Sequence, residues 1–414
     1  MLELFPDGTR IDGGALIIGG IAAEQLVDLH GSPLLVYDEA TLRARARSYR
    51  RAAPDALVCY GTKAFPNLAL MRLFAEEGIG ADVSTLGELR FARAAGIGGD
   101  RLVVHGNNKG DGELRAAAQE GALVVIDSLE EVERAREAGI ERTLIRVTPG
   151  IEADTHEAIR TGQTGSKFGL PPDDALEAIR RNPRSQGLHV HIGSQLRDLH
   201  AARLAVAWVG MFAARCREEL GWEPEALDLG GGLGVAATRD EAEIPIDVFV
   251  AALLGELERS HSRHGLSPRQ LILEPGRSLT ARAGVTLYTV GSVKRSAATT
   301  YVAVDGGMSD NPRPALYGAR YTALLGNRAD EPADGSYTIV GKHCESGVLL
   351  IERVALPEPR RGDILAVPAT GAYTLAMSST YNAVPRPAAV LVAGGAARVI
   401  RRRETIDDLL ALET

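Results

Sequence analysis

A lysine directly follows a short apolar segment in the first part of the chain. Ala56-Leu57-Val58-Cys59-Tyr60 has the length and composition of a buried strand, and Gly61-Thr62-Lys63 ends it. A lysine at the carboxyl end of a strand can be desolvated and can then form a Schiff base with a carbonyl compound. A solvated loop lysine is the ordinary alternative, because most lysines lie at protein surfaces. The residues that follow the other apolar segments decide between the two.

An acidic side chain and two histidines follow or lie within later apolar segments. Glu274 comes directly after Leu271-Ile272-Leu273. A carboxylate there could keep a pyridine nitrogen protonated, which makes the ring a better electron sink, or it could form a structural ion pair. His189 and His191 are two residues apart on a predicted strand and so face the same way. Some metal sites begin with this spacing, but no obvious set of further ligands follows, so we expect no metal. We expect His191 to pack against a cofactor ring and His189 to be a core histidine.

A run of glycines provides a candidate phosphate site. Successive backbone N–H groups of Gly230-Gly231-Gly232-Leu233-Gly234 can point into one concavity, which suits a phosphate. In barrels of alternating strands and helices, phosphate sites recur in the loops after strands 7 and 8, where this run and Arg277 would lie. A dinucleotide site is the rival interpretation, and it is disfavoured because no clear helix opens directly after the run.

Eight apolar segments alternate with helical patterns and would position these residues. A strand-then-helix rhythm begins at Pro33, and eight such units favour a closed, TIM-like (β/α)8 barrel over residues 33–276. Lys63, Asp82 and Ser84, His105, His191, the glycine run and Glu274 would then all follow carboxyl ends of barrel strands. The predicted strands cover residues 57–58, 79–83, 102–104, 123–126, 144–147, 188–192, 226–229 and 271–273, and predicted helices include 68–77, 86–95 and 129–138.

The rest of the chain predicts a β domain. Short β-rich segments at 285–293, 301–304, 336–340, 364–367 and 388–393 have few helical patterns between them, which indicates an antiparallel β-sandwich or barrel. The first residues contain glycines and weak alternation, as in edge strands that join another sheet. We therefore assign residues 1–32 and 277–414 to this second domain.

The composition excludes several classes of protein. The 414 residues are 45% hydrophobic and 24% charged, which is typical of globular chains, and the net charge of −8 offers no basic surface for nucleic acid. No apolar segment is long enough to cross a membrane. Three cysteines, Cys59, Cys216 and Cys344, are too few for a disulfide framework, and no secretion signal is evident, so we expect a cytoplasmic location.

Several motifs, in order along nearly the whole chain, resemble those of the pyridoxal-phosphate-dependent ornithine, diaminopimelate and arginine decarboxylases, which have the alanine racemase-like fold. Within this family the chain is most similar to the diaminopimelate decarboxylases. The motifs are Tyr60-Gly61-Thr62-Lys63-Ala64, Gly80-Ala81-Asp82-Val83-Ser84, Ser166-Lys167-Phe168-Gly169, His189-Val190-His191-Ile192-Gly193-Ser194-Gln195, Glu274-Pro275-Gly276-Arg277, Arg313-Pro314-Ala315-Leu316-Tyr317, Cys344-Glu345-Ser346-Gly347 and Gly371-Ala372-Tyr373.

The resemblance implies a role for each matching residue. Lys63 would bind the aldehyde of pyridoxal 5'-phosphate, Glu274 would pair with its pyridine nitrogen, and His191 would stack on its ring. The other cofactor contacts would be Asp82, Ser194, Gly230, Gly231, Gly232, Pro275, Gly276, Arg277 and Tyr373. Cys344 would donate a proton, and the substrate would be held by Arg277, Arg313, Tyr317, Glu345 and Tyr373. A guanidinium and a phenol suit a carboxylate chemically, although Arg313 between Pro312 and Pro314 also fits a surface arginine.

The implied reaction is the decarboxylation of meso-2,6-diaminopimelate to L-lysine and CO2, by a homodimer whose β domain completes the partner's site. Decarboxylation of ornithine, arginine or a carboxylated polyamine precursor is the nearest rival. Racemisation, a regulatory pseudoenzyme and a metallohydrolase are more distant alternatives. Thr85-Leu86 and Val348 depart from the usual family pattern outside the catalytic roles.

Overall fold

The computed structural model describes residues 1–149, 166–191, 193–266, 268–345 and 349–414. The chain divides into two compact units. The first comprises Met1–Ala44, Val235–Ala242 and Leu279–Thr414, and the second comprises Arg45–Gly234 and Glu243–Ser278. We call them the β unit and the barrel unit. None of the helices among the described residues is both long and apolar enough to span a membrane.

Strands and helices alternate through the middle of the chain, whereas strands predominate near its two ends. The first elements are β1 (Arg10–Asp12), β2 (Ala15–Ile18), β3 (Ile21–Ala22), α1 (Ala23–His30), β4 (Leu34–Asp38) and α2 (Glu39–Ala52). The middle elements are β5 (Leu57–Gly61), α3 (Leu68–Glu76), β6 (Gly80–Val83), α4 (Leu86–Ala94), β7 (Leu102–Val104), α5 (Asp111–Gln119), β8 (Leu123–Ile126), α6 (Leu129–Glu137), β9 (Arg142–Arg146), α7 (Pro172–Arg181), β10 (Gly187–His189), α8 (His200–Leu220), β11 (Ala226–Asp228), α9 (Ile246–His264), β12 (Gln270–Leu273) and α10 (Arg277–Thr280). The last are β13 (Gly284–Ser296), β14 (Thr299–Val304), α11 (Arg313–Tyr317), β15 (Leu324–Leu325), β16 (Gly335–Val340), β17 (Leu349–Leu356), β18 (Ile364–Val367), β19 (Ala388–Ala393), β20 (Ala396–Arg401) and α12 (Ile406–Leu410).

Strands β5 to β12 form a closed parallel barrel, which confirms the predicted barrel. The barrel closes where Leu273 of β12 pairs with Val58 of β5. Apolar side chains from alternate positions fill its interior, and they come from six of the eight strands. This interior cluster consists of Cys59, Val103, Leu123, Val125, Leu144, Ala226 and Ile272.

Polar caps fix where several barrel helices begin. The Asn67 side chain accepts hydrogen bonds from the first turn of α3, Thr85 caps α4, and Ser128 caps α6. Each cap follows a buried strand by a few residues, so the chain turns from strand to helix at a defined position. Thr85, one of the departures from the family pattern, therefore has a local structural role as a helix cap.

The β unit contains a mixed sheet in the order β17-β16-β14-β13-β4-β19-β20, in which β18 also pairs with β13 and β15 pairs with β18. The prediction of an antiparallel domain is correct for most pairs, but β4 is parallel to β19 and β14 is parallel to β16. Strands β1 to β3 form a small separate sheet, and Leu16, Ile18 and Ile21 join the same apolar core as Val285 and Val390. The amino-terminal strands thus belong to the β unit, as expected.

Three segments lie in a different unit from the predicted one: residues 33–44 and 235–242 belong to the β unit, and residues 277–278 belong to the barrel unit. Residues 33–44, counted with the barrel from the sequence, belong to the β unit, because β4 pairs with β13 on one side and β19 on the other. All five β4 residues are buried. An apolar strand that precedes a helix has the same local pattern in a barrel and in a mixed sheet, so only its pairing partners distinguish the two.

Candidate active site

Lys63 lies just past the carboxyl end of β5, in a short turn of 3-10 helix that covers Thr62–Ala64. Its side chain is 53% exposed, and its Nζ lies 3.5 Å from Oδ2 of the buried Asp82 on β6. The Thr62 hydroxyl donates to the backbone carbonyl of Asp82 at 2.8 Å, which ties the two strand ends together. The amine is thus held at the barrel mouth beside a carboxylate and remains accessible to a ligand.

Glu274 follows β12 and is buried at the same mouth. One carboxylate oxygen lies 2.5 Å from Nε2 of His105, and the other lies 3.5 Å from Nε2 of His189. Burial alone would raise the pKa of Glu274, but the two imidazoles outweigh it and lower this pKa well below its ordinary value. Glu274 is therefore an ionised carboxylate in a mostly desolvated place.

Two further buried groups beside Glu274 are neutral. Burial raises the pKa of Asp228 well above its ordinary value, and the negative charge of Glu274 adds to the effect. Burial also lowers the pKa of His189 to about 3. Because like charges at short range cannot both be ionised cheaply, the charge of this cluster resides on Glu274.

The glycine run after β11 leaves room that no other residue would leave. Gly230 and Gly232 have φ values of 63° and 107°, which strain any residue that carries a Cβ atom. A Cβ on Gly230 would lie 2.4 Å from Nδ1 of His191, and one on Gly231 would lie 2.2 Å from the carbonyl oxygen of Glu274. The backbone N–H of Glu274 donates to the carbonyl of Gly230 at 2.7 Å, so the glycines and Glu274 form one connected wall.

Arg277 and Ser194 come together at the same end of the barrel. Nη2 of the buried Arg277 donates to the Ser194 hydroxyl at 3.1 Å. The N–H of Gly231 donates to Nδ1 of the partly buried His191 at 3.4 Å. Burial and the positive charge of Lys63 lower the pKa of His191 well below its ordinary value, so this imidazole is neutral. A guanidinium, a hydroxyl and a glycine-lined backbone together suit a phosphate group.

The predicted barrel residues are therefore brought together, since Lys63, Asp82, His191, Ser194 and the glycine run all lie at one barrel mouth with Glu274, Pro275, Gly276 and Arg277. The carbonyl of Pro275 accepts a hydrogen bond from Gly61 at 3.1 Å, which joins the Glu274 segment to the Lys63 segment. Which of these residues contacts a cofactor stays a prediction. Ile192, a motif residue, lies outside the described residues.

Sequence reasoning gave no role to His105 and did not mention Asp228. Donor atoms of His105, His189, Asp228 and Glu274 lie within 4.8 Å of one another. Such a set could hold a metal ion, but its ionised carboxylate could equally pair with a cationic ring nitrogen. The glycine-lined wall and the Arg277–Ser194 pair favour a ring that carries a phosphate, because a metal ion needs neither of them. The sequence feature that indicates a role for His105 is its position directly after the third barrel strand.

The β unit holds the other predicted substrate residues. Arg313 is 6% exposed, and its Nε donates to the Tyr321 hydroxyl at 3.0 Å. Its guanidinium carbon lies 5.7 Å from the ring centre of Tyr317 and 5.9 Å from that of Tyr373. Arg313 is thus a buried cation among tyrosines, and the alternative of a surface arginine is wrong. Tyr321 was missed because it lies outside the motif.

Cys344 and Glu345 lie in the loop after β16 and are exposed. The backbone N–H of Cys344 donates to the side-chain oxygen of Asn382 at 3.0 Å, which fixes one end of the loop to the β unit. Their predicted roles stay predictions. Ser346, Gly347 and Val348, which include a departure from the family pattern, lie outside the described residues.

Comparison with known proteins gives the same family throughout the chain. A family model described as the pyridoxal binding domain of pyridoxal-dependent decarboxylases matches residues 39–281. A diaminopimelate decarboxylase of Actinosynnema pretiosum subsp. auranticum is 45% identical and covers 99% of this chain and 95% of its own length. One of Bacillus subtilis is 41% identical, with 97% and 95% covered. The crystal structure of diaminopimelate decarboxylase from M. jannaschii in co-complex with L-lysine has a TM-score of 0.92 at 32% identity, with 99% and 98% covered. The chain therefore belongs to the diaminopimelate decarboxylase family of pyridoxal-dependent decarboxylases.

Proposed function

We propose that this protein decarboxylates meso-2,6-diaminopimelate to L-lysine and CO2, the last step of lysine biosynthesis, with pyridoxal 5'-phosphate as cofactor. The observation that carries the proposal is the barrel mouth, where an accessible lysine, a buried ionised carboxylate and a glycine-lined wall meet. Similarity to diaminopimelate decarboxylases over nearly the full length supports the same substrate.

The barrel residues fit pyridoxal phosphate. Lys63 would hold the aldehyde and yield it to the substrate amine, while Asp82 keeps the Lys63 amine at the mouth. The glycines Gly230, Gly231 and Gly232 would receive the phosphate together with Ser194 and Arg277, whose side chains already meet. Bound there, the cofactor supplies an electron sink for the electron pair left behind when the α-carboxylate departs as CO2.

Glu274 and His191 would set the electronic environment of the ring. The ionised Glu274 carboxylate favours a proton on the pyridine nitrogen, because a nearby negative charge stabilises the cation. The neutral His191 imidazole offers a flat face for stacking without adding a positive charge. Pro275 and Gly276 connect Glu274 to Arg277 and so fix the distance between the two ends of the site.

The β unit would recognise the distal end of the substrate. Arg313 is a buried guanidinium beside Tyr317 and Tyr373, and a guanidinium pairs with a carboxylate through two parallel hydrogen bonds. Arg277, Tyr373 and Glu345 complete the proposed substrate set, in which Glu345 binds the distal amine. The Cys344 thiol would donate the proton that replaces the lost carboxylate.

We further propose that the functional unit is a homodimer in which Cys344 and Glu345 of one protomer serve the barrel of the other. Their exposure supports this arrangement, because a proton donor works in a site that excludes bulk water. We place the enzyme in the cytoplasm, since all three cysteines are free, as in a reducing compartment.

Decarboxylation of a related amino acid, such as ornithine, arginine or a carboxylated polyamine precursor, is the second candidate. The buried Arg313 favours a substrate with a second carboxylate, which ornithine and arginine lack. The deciding experiment incubates the purified protein with pyridoxal phosphate and each amino acid separately and measures CO2 release. We expect rapid release from meso-diaminopimelate alone, and equal or faster release from ornithine or arginine would contradict the proposal.

A further inference from the structure

His105 lies between the two carboxylates of the barrel mouth. Its Nε2 is 2.5 Å from Oε1 of Glu274 and 3.8 Å from Oδ1 of Asp82, whose other oxygen lies 3.5 Å from the Lys63 amine. The residue is 6% exposed, and its backbone N–H donates to the carbonyl of Val83 at 2.8 Å, which anchors it beside β6. One imidazole thus stands between the group that would bind the aldehyde and the group that would face the pyridine nitrogen.

The direction of the hydrogen bond between His105 and Glu274 follows from chemistry. An ionised carboxylate only accepts hydrogen bonds, so Nε2 of His105 must carry a hydrogen atom and donate a hydrogen bond to Oε1. A hydrogen bond to a charged acceptor is stronger than one between neutral groups, and burial increases its strength further.

Other buried groups near Glu274 can also donate hydrogen bonds, but the 2.5 Å hydrogen bond comes from His105. His189 lies 3.5 Å from the second oxygen, and the protonated Asp228 shares a side-chain hydrogen bond with Glu274, whereas Asp82 lies near Lys63. Arg146 on β9 contributes positive charge to the barrel interior, but its hydrogen bond goes to Asp127 at 3.4 Å. Among the described residues, His105 is the side chain that makes the 2.5 Å hydrogen bond to the Glu274 carboxylate.

We propose that His105 is a positioning residue that keeps Glu274 ionised and oriented as the anionic partner of the cofactor's pyridine nitrogen. The proposal rests on the proposed function, because it needs pyridoxal phosphate at this mouth. Without the donor, the proton shared between the pyridine nitrogen and Glu274 moves toward the carboxylate, because the anion has lost its strongest stabilising contact. The ring then becomes a weaker electron sink.

The experiment compares His105→Phe, which keeps a flat ring without donors, with His105→Gln, whose amide nitrogen can take the place of Nε2 as a donor. Each protein is loaded with pyridoxal phosphate isotopically labelled at its ring nitrogen, and the nitrogen NMR chemical shift reports protonation of the bound ring. We expect a protonated ring in the wild type and in His105→Gln, and a shift toward the unprotonated value in His105→Phe. We expect kcat of His105→Phe to fall roughly 10- to 100-fold, as loss of a hydrogen bond to a charged group typically does, with KM changed less.

His189→Phe is the matched control, since it removes the second imidazole, which lies farther from Glu274. It should move the nitrogen shift less than His105→Phe does. A purely structural role for His105 would lower the melting temperature or cofactor affinity but leave the shift of the bound ring unchanged, and that result would overturn the proposal. If His105→Phe does not fold, His105→Ala takes its place with the same expected result. An unprotonated ring in cofactor-loaded His105→Gln would also overturn the proposal.

Failure of this inference can be told apart from failure of the proposed function. If the wild type binds pyridoxal phosphate and releases CO2 from diaminopimelate while the variants keep a protonated ring, only the role of His105 is wrong. If the wild type binds no pyridoxal phosphate, the proposed function fails and the inference fails with it.

Discussion

The candidate residues of the barrel mouth differ from those of the loop after β16 in how firmly they are held. Glu274 is buried, bonded to His105 and linked through its backbone to Gly230, and Lys63 is held beside Asp82. Cys344 and Glu345 are exposed, and the loop is tied to Asn382 through a backbone hydrogen bond. The residues proposed to hold the cofactor are therefore preorganised by the barrel itself, whereas the residues proposed for proton donation lie on an exposed loop.

Arg313 is held as firmly as the residues of the barrel mouth, although it lies in the same unit as Cys344. It lies in the β unit, yet it is buried and bonded to Tyr321. The contrast therefore lies between buried, hydrogen-bonded residues and an exposed loop, rather than between one unit and the other.

The largest effect is expected from Lys63→Ala, which removes the amine of the preorganised barrel site. CO2 release should fall to background, because the described part of the barrel mouth offers no second accessible amine for the aldehyde. Borohydride reduction of the wild-type enzyme, followed by peptide mapping, should place the pyridoxyl group on Lys63. Lys109 is a poor competitor, since its amine is buried and bonded to both oxygens of Glu131.

The matched control for this change is Lys294→Ala, which removes an exposed lysine of β13 and should leave activity unchanged. A pyridoxyl label on a lysine other than Lys63 would show that the barrel mouth has been assigned wrongly.

Arg313→Ala tests the preorganised part of the β unit. The wild type should strongly prefer meso-diaminopimelate over lysine, which lacks the second carboxylate. The variant should lose on the order of 2 to 5 kcal/mol of that preference, as the loss of one partner of a desolvated charge pair typically does. The measurement is the ratio of kcat/KM for the two substrates.

Arg320→Ala serves as the control for Arg313, because Arg320 is an exposed arginine of the same unit that pairs with Asp240. It should keep the full preference. Full discrimination by a folded Arg313→Ala enzyme would make Arg313 a structural residue of the tyrosine cluster.

The smallest change in absolute activity is expected from mixing two inactive variants. This experiment tests directly whether the loop after β16 serves the barrel of the partner subunit. Lys63→Ala and Cys344→Ala homodimers should each be nearly inactive. In a mixed dimer with composite sites, both lesions fall in one site and the other site is intact. Co-refolding equal amounts should restore roughly a quarter of wild-type activity, since half of the dimers are mixed and each has one good site of two.

The control for the mixing experiment is each variant refolded alone, and mixed dimers must be demonstrated with distinguishable tags. If mixed dimers form and no activity returns, Cys344 serves the barrel of its own chain, and the proposal of shared sites is wrong.

Much of the fold could be predicted because its elements are locally encoded. The barrel strands are short apolar segments followed by turn and cap residues, so the helices after Asn67, Thr85 and Ser128 were placed to within one residue of their observed ends. The strands β17 and β20 were missed, because Glu352 and Arg353 interrupt the apolar sequence of β17 and because β20 is mostly exposed or half-buried. The assignment of β4 failed for a different reason, since its pairing partners lie hundreds of residues later.

The sequence by itself determined the residue types of the site and their places after barrel strands, because the carboxyl ends of parallel barrel strands necessarily meet at one mouth. It could not determine how charge is distributed there. That Glu274 is ionised, that Asp228 and His189 are neutral, and that His105 rather than His189 bonds Glu274 at 2.5 Å depend on burial and on distances between side chains from different strands. Those quantities exist only once the barrel has closed, because a pKa responds to desolvation and to neighbouring charges in space. For the same reason, only the folded β unit shows Arg313 as a buried cation among three tyrosines rather than an arginine between two prolines.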